Sequence, residues 1–138
     1  MVKIIRDLWI LIADGRVLFD RVFEEKLHPD LFGSFMSAIN MFAMELTGKD
    51  GISSIVIADK VYTLFKKRNM IFIGNSAKTI KEKKIIGELN KISNKFFATY
   101  PSQILEDFDG NVDIFRNFSE KIDESLEKPI DRIQKAIW

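Results

Sequence analysis

Residues able to do chemistry are few in this chain. The single histidine, His28, stands directly before Pro29. A lone imidazole at a helix start, with no thiol to join it, reads as a cap or loop residue rather than a base or ligand. Glu106, Asp107, Asp109, Asn111 and Asp113 gather oxygen ligands in the manner of a calcium loop. They lack the bidentate Glu and the loop Gly at the offsets an EF-hand needs. The chain has no cysteine, which excludes disulfides, thiol catalysis and Cys-ligated zinc. No GxxxxGK[ST], GxGxxG or GxSxG pattern occurs, so neither a phosphate cradle nor a serine elbow is supported. The expectation is a protein that is not an enzyme and that carries no cofactor and no metal.

The elements around these residues are more informative. Residues 4–13, IIRDLWILIA, read as a strand, and 16–24, RVLFDRVFE, as its return. Asp14-Gly15 between two apolar runs is a strong hairpin signal, pointing to a type I′ turn with positive φ at both central positions. Pro29 and Asp30 open a helix, as a preset φ and an acid in the first turn favour. Leu31, Phe35, Ile39, Phe42 and Leu46 recur at helical spacing and form its stripe, with Gly48 as the expected cap. Phe32, Met36 and Met44 lie off that stripe, so the helix is apolar around most of its circumference.

Three strands follow, at 52–58, 61–67 and 70–74, joined by short turns that imply antiparallel neighbours. WILIA, SIVIA and MIFIG are continuous rather than alternating, which predicts strands buried on both faces. A long helix is expected over 77–98, with Gly87 inside it at a cost of roughly 1 kcal/mol relative to Ala. Val112, Phe115, Phe118, Ile122 and Leu126 outline a last helix over 112–127. Ile130, Ile133, Ile137 and Trp138 make the tail amphipathic.

Bulk properties agree with a folded binding domain. At 138 residues, 46% hydrophobic and 30% charged, with 12 Phe, the chain reads as one domain with an aromatic core. Its net charge of +1 gives no global field toward nucleic acid. Leu8 to Ala13 is too short to cross a bilayer, and the charged residues near Met1 leave no signal-peptide core. A cytoplasmic protein is expected, with peripheral membrane contact as a further candidate. Charge is segregated along the chain: Lys60 to Lys95 holds ten basic residues and two acids, whereas Glu106 to Glu127 holds eight acids and two basic residues. Lys66, Lys67, Arg68, Lys78, Lys81 and Lys84 are the candidates for contact with an anionic surface, weighed against a plain solvated face.

The order β-β-α-β-β-β-α-α resembles the longin domain, a relative of the roadblock-like and profilin-like folds. The resemblance is carried by WILIADGRVLFDRVF, LFGSFMSAINMFAMEL, ISSIVIADKVYTLFKKRNMIFIG and FRNFSEKIDESL, and spans residues 3–127. Roadblock proteins carry an extra helix before the first strand, so longin is the better match. It implies an α/β (α+β) fold: a five-stranded antiparallel sheet with helix 31–46 on one face and helices 77–98 and 112–127 on the other. Residues 1–128 would be the longin-like domain and 129–138 a short extension. Trp138 follows Pro129 too closely for the heptad segment of a membrane-fusing SNARE. The function implied is protein binding in trafficking adaptors, tethers or small-GTPase regulators, as a homodimer or as a subunit beside another longin or roadblock-type chain. A ligand-sensing PAS or profilin-like domain is the alternative. Phe32, Met36, Met44, Ile133, Ile137 and Trp138 are the expected partner interface.

Overall fold

The computed structural model describes residues 4–22, 29–47, 54–57, 59–101 and 112–122. Strands β1 (Leu8–Ile12) and β2 (Val17–Arg21) precede helix α1 (Pro29–Thr47). Strands β3 (Ser54–Ile57), β4 (Lys60–Lys67) and β5 (Met70–Ala77) lead into helix α2 (Glu82–Thr99). A 3₁₀ segment, Val112–Phe118, runs into the short helix α3 (Ser119–Ile122). The sheet order is β2-β1-β5-β4-β3, antiparallel throughout. This is the five-stranded arrangement that the hydrophobic pattern and short turns imply.

The sheet separates two cores. Alternate residues of a strand point to opposite faces. Leu8, Ile10, Ile12 and Phe72 pack with Ile85, Leu89, Ile92 and Phe96 of α2 and with Phe115, Phe118 and Ile122. Trp9, Leu11, Leu64, Ile71 and Ile73 pack with Phe32 and Met36 of α1. Rings fill the first core: Phe96 stacks on Phe115 and meets Phe118 edge-on, with centroids at 5.8 and 5.3 Å.

Several details depart from the sequence expectations. The β1–β2 loop is not a type I′ turn. Ile12 N–H donates to Arg16 carbonyl oxygen at 2.9 Å, and in this loop only Gly15 has positive φ, at 102°. Asp14 instead accepts from the Arg16 N–H at 3.0 Å, closing the loop with its side chain. Strand β5 runs past Gly74 to Ala77, so α2 starts later than expected. The last helix opens as 3₁₀, a winding that keeps i and i+3 in line and so turns Phe115 and Phe118 together into the core, while Val112 is exposed. Strand β3 is exposed along most of its length, since it lies at a sheet edge and not inside the sheet.

Candidate functional site

Helix α1 is apolar on two faces, and the structure turns the smaller one inward. Phe32 and Met36, expected at a partner interface, are 4% and 0% exposed. Phe32 stacks on Trp9 with ring centroids 4.2 Å apart and lies beside Tyr62. The cause is steric. A Cβ on Gly33 would stand 2.7 Å from Val17 Cγ2, and the Ser37 hydroxyl donates to the Ala13 carbonyl oxygen at 2.7 Å. Gly33 and Ser37 sit one turn apart, so these short residues let the helix backbone close onto the β1–β2 hairpin. Phe32 and Met36, flanking them, are pulled into the sheet.

The larger stripe is left outside. Of the stripe expected to cover the sheet, Leu31, Phe35, Phe42 and Leu46 are exposed, Phe42 by 63% and Leu46 by 69%, and Ile39 is half-buried. Met41 and Met44 are exposed as well, so of the expected α1 contacts only Met44 stands free. At 3.6 residues per turn, the stripe lies on the flank of α1 next to Phe32, away from Gly33 and Ser37. Phe32 marks the Tyr62 side and Gly33 the β1–β2 side. The stripe therefore leans toward β4 and the edge strand β3.

The sheet ends on that side at β3. Among the described residues, strand β3 pairs only with β4. Its sequence SIVI has no charge, and Val56 and Ile57 are exposed. Ile55 stands opposite Tyr62 and packs against the α1-side core, so Ile57, two residues on, shares that face. The opposite edge is guarded. Strand β2 carries Asp20 and Arg21, and its register shifts at Ile10/Leu11. Charges and bulges are what natural sheets place on edges that must stay unpaired; β3 has neither.

The expected basic cluster is split. Lys66, Lys67 and Arg68 occupy the β4–β5 tip, and Lys78, Lys81 and Lys84 the far end of β5 and the start of α2. Lys67 Nζ donates to Asn94 Oδ1 at 2.6 Å, and the Arg68 guanidinium lies 4.4 Å from the centre of the Phe97 ring. The tip residues are thereby drawn onto the C-terminal half of α2, while the other lysines stand at its N-terminal end.

Ile133, Ile137 and Trp138, His28, and all of the acidic loop but Asp113 fall outside the described residues. Asp113 is exposed and pairs with Arg116 at 2.6 Å. Among the described residues no group of three His, Cys, Asp or Glu could hold a metal ion, and no helix is long and apolar enough to cross a membrane. Burial pushes the Tyr62 hydroxyl above its ordinary range; a hydrogen bond with Asn75 opposes the shift, and the charges of Asp7 and Asp59 add to it.

A five-stranded antiparallel sheet with α1 on one face and α2 and the 3₁₀ segment on the other is a roadblock- and longin-like α+β fold. The Roadblock/LC7 domain from Streptomyces avermitilis shares it, with a TM-score of 0.54 at 12% identity over 72% of this chain and 87% of that one. Myxococcus xanthus MglB does so with a TM-score of 0.52 at 9% identity, over 68% of this chain and 84% of that one. Identities this low show the fold alone. No family model and no curated protein matches the sequence.

Proposed function

We propose that this chain is a non-enzymatic protein-interaction module that assembles through α1 and the β3 edge. One observation carries the reading: α1 exposes an apolar stripe turned away from the β1–β2 hairpin, and the sheet ends, beyond β4, in the uncharged edge strand β3. Exposed apolar patches of this kind mark interfaces, and an open edge is a template for strand addition. The surface is close to neutral, since α1 has only Asp30 and Glu45 as charges and β3 none. The apolar stripe itself carries no charge, because Asp30 and Glu45 lie off it, and an uncharged apolar surface can meet its own copy across a two-fold axis. The occupant is therefore a second copy of this chain or a subunit of the same fold.

The roadblock and longin resemblance extends this reading by analogy. The assembled module would serve a small GTPase in a trafficking-like complex, in the cytoplasm.

The test is light scattering after size exclusion on the full chain and on Phe35→Glu/Phe42→Glu. Both side chains are exposed, so the variant should stay folded. The expected result is a dimer that becomes a folded monomer. A parent chain that is monomeric alone, and that binds no roadblock- or longin-type subunit, would refute the reading.

A further inference from the structure

Helix α1 carries a polar group that its packing leaves unfinished. Asn40 is only 6% exposed, and its Oδ1 is buried without a hydrogen-bond partner. Its Nδ2 faces the Met44 sulfur at 3.7 Å. A thioether is a weak acceptor, so a buried amide is poorly matched on both of its atoms. Met44 sits one helical turn after Asn40, on the same side of the helix, and is 44% exposed. The amide therefore lies against a side chain that solvent reaches and whose acceptor strength a covalent step can raise. The chain has no cysteine, so its oxidisable sulfur is all methionine. Met36 and Met70 are buried, whereas Met41 and Met44 are open; Met1 lies outside the described residues.

We propose that Met44 is a reversible oxidation site and that the Asn40 amide receives the product. The oxidant is a peroxide. A sulfur lone pair attacks one peroxide oxygen, and the S–O bond forms as the O–O bond breaks. Sulfur gives up two electrons, and the departing hydroxide of hydrogen peroxide takes the proton left on the transferred oxygen and leaves as water. The product is a sulfoxide, polar and chiral, which sulfoxide reductases return to the thioether. Its oxygen is a far better acceptor than the sulfur and forms within reach of Asn40 Nδ2, so oxidation supplies a hydrogen bond that the buried amide lacks. The amide approaches the sulfur from one side, which favours one epimer. Met41 is the internal control. It is open to peroxide, but it follows Asn40 directly, and neighbours in sequence do not face each other on a helix. Met44 stands half a turn round from Phe42 and Leu46, on the side of Gly33 and Ser37. It stays reachable whether or not the exposed stripe is covered, so the site does not depend on assembly through α1 and β3.

The experiment treats the full chain with hydrogen peroxide, follows each methionine by peptide mass spectrometry, and follows the Asn40 side-chain amide by NMR of isotope-labelled protein. The expected result is that Met41 and Met44 gain oxygen while Met36 and Met70 do not, and that the Asn40 amide signals move in step with Met44. The movement should persist in Met41→Leu and vanish in Met44→Leu. Both variants keep the helix apolar and close in volume, and leave Asn40 in place as the reporter. A mixture of the two epimer-specific reductases should restore Met44 about fivefold more slowly than Met41, the hold of one hydrogen bond, and Asn40→Ala should remove the difference. The proposal is overturned if Met36 or Met70 is oxidised as readily as Met44, if the Asn40 signals stay fixed on oxidation or still move in Met44→Leu, or if the two sulfoxides of the parent chain are reduced at the same rate.

Discussion

Asp7 and Asn75 clasp each other across the start of β1 and the end of β5. The Asp7 N–H donates to Asn75 Oδ1 at 2.8 Å, and Asn75 Nδ2 donates back to Asp7 Oδ2 at 2.9 Å. The Asn75 N–H also donates to the Asp7 carbonyl oxygen at 3.1 Å. Both residues are buried. A buried carboxylate keeps its place only while its hydrogen bonds are made. Asn75→Ala removes a donor to that carboxylate and an acceptor for the backbone, so it should cost about 1–3 kcal/mol or more. Urea denaturation of parent and variant measures this directly, and a loss within error would show that other groups satisfy Asp7.

Two tyrosines tie stability to alkaline pH. Burial raises both Tyr62 and Tyr100 above the ordinary value of 10.0. For an acid whose folded-state value is raised, the unfolded chain releases the proton first. The stabilising contribution is therefore complete below pH 10 and fades as pH rises through the folded-state value. Denaturation midpoints should fall above pH 10, together with the appearance of tyrosinate absorbance. Tyr100→Phe should flatten that fall; a midpoint equally steep in the variant would remove Tyr100 from the account.

The glycines of the two long helices should respond to alanine with opposite signs. At Gly33 the new Cβ would collide with the Gly15 carbonyl and with Val17, so Gly33→Ala should destabilise by about 1–3 kcal/mol. At Gly87 the space is open, and Gly87→Ala should stabilise by about 1 kcal/mol. Thermal melts of the two variants check both signs, and melts that shift the same way would contradict the placement of Gly33 against the hairpin.

This pair of glycines also shows what the sequence could and could not reveal. Sheet and helix order were legible because turn residues punctuate strongly apolar runs, and because Ile85, Leu89, Ile92 and Phe96 leave a single choice of inward face. Helix α1 offers two. Its long stripe, Leu31, Phe35, Ile39, Phe42 and Leu46, carries more apolar area, so a hydropathy argument turns it to the core. The outcome is decided by close approach, which hydropathy does not weigh. Gly33 and Ser37, four residues apart, were the available signal, since small residues on one stripe mark the side where a helix can touch backbone. Lys67 on Asn94 and Arg68 on Phe97 depend on contacts between residues 27 and 29 apart in the sequence, beyond any local pattern.

The inverted helix makes a sharp contrast between Phe32 and Phe42. Phe32 is 4% exposed and stacked on Trp9, so Phe32→Ala opens a cavity beneath α1. The expected cost is about 3–5 kcal/mol. Phe42 is mostly exposed, and Phe42→Ala should change the stability of the isolated subunit by no more than about 0.5 kcal/mol. On the proposed assembly through α1, its effect would fall on association, where an exposed aromatic anchor contributes most. Denaturation at high dilution, where the subunits are apart, should separate the two variants by several kcal/mol. Concentration-dependent melts should then move for Phe42→Ala alone. Equal losses at high dilution would mean that Phe42 is held within its own subunit, and the surface of α1 and β3 would lose its central contact.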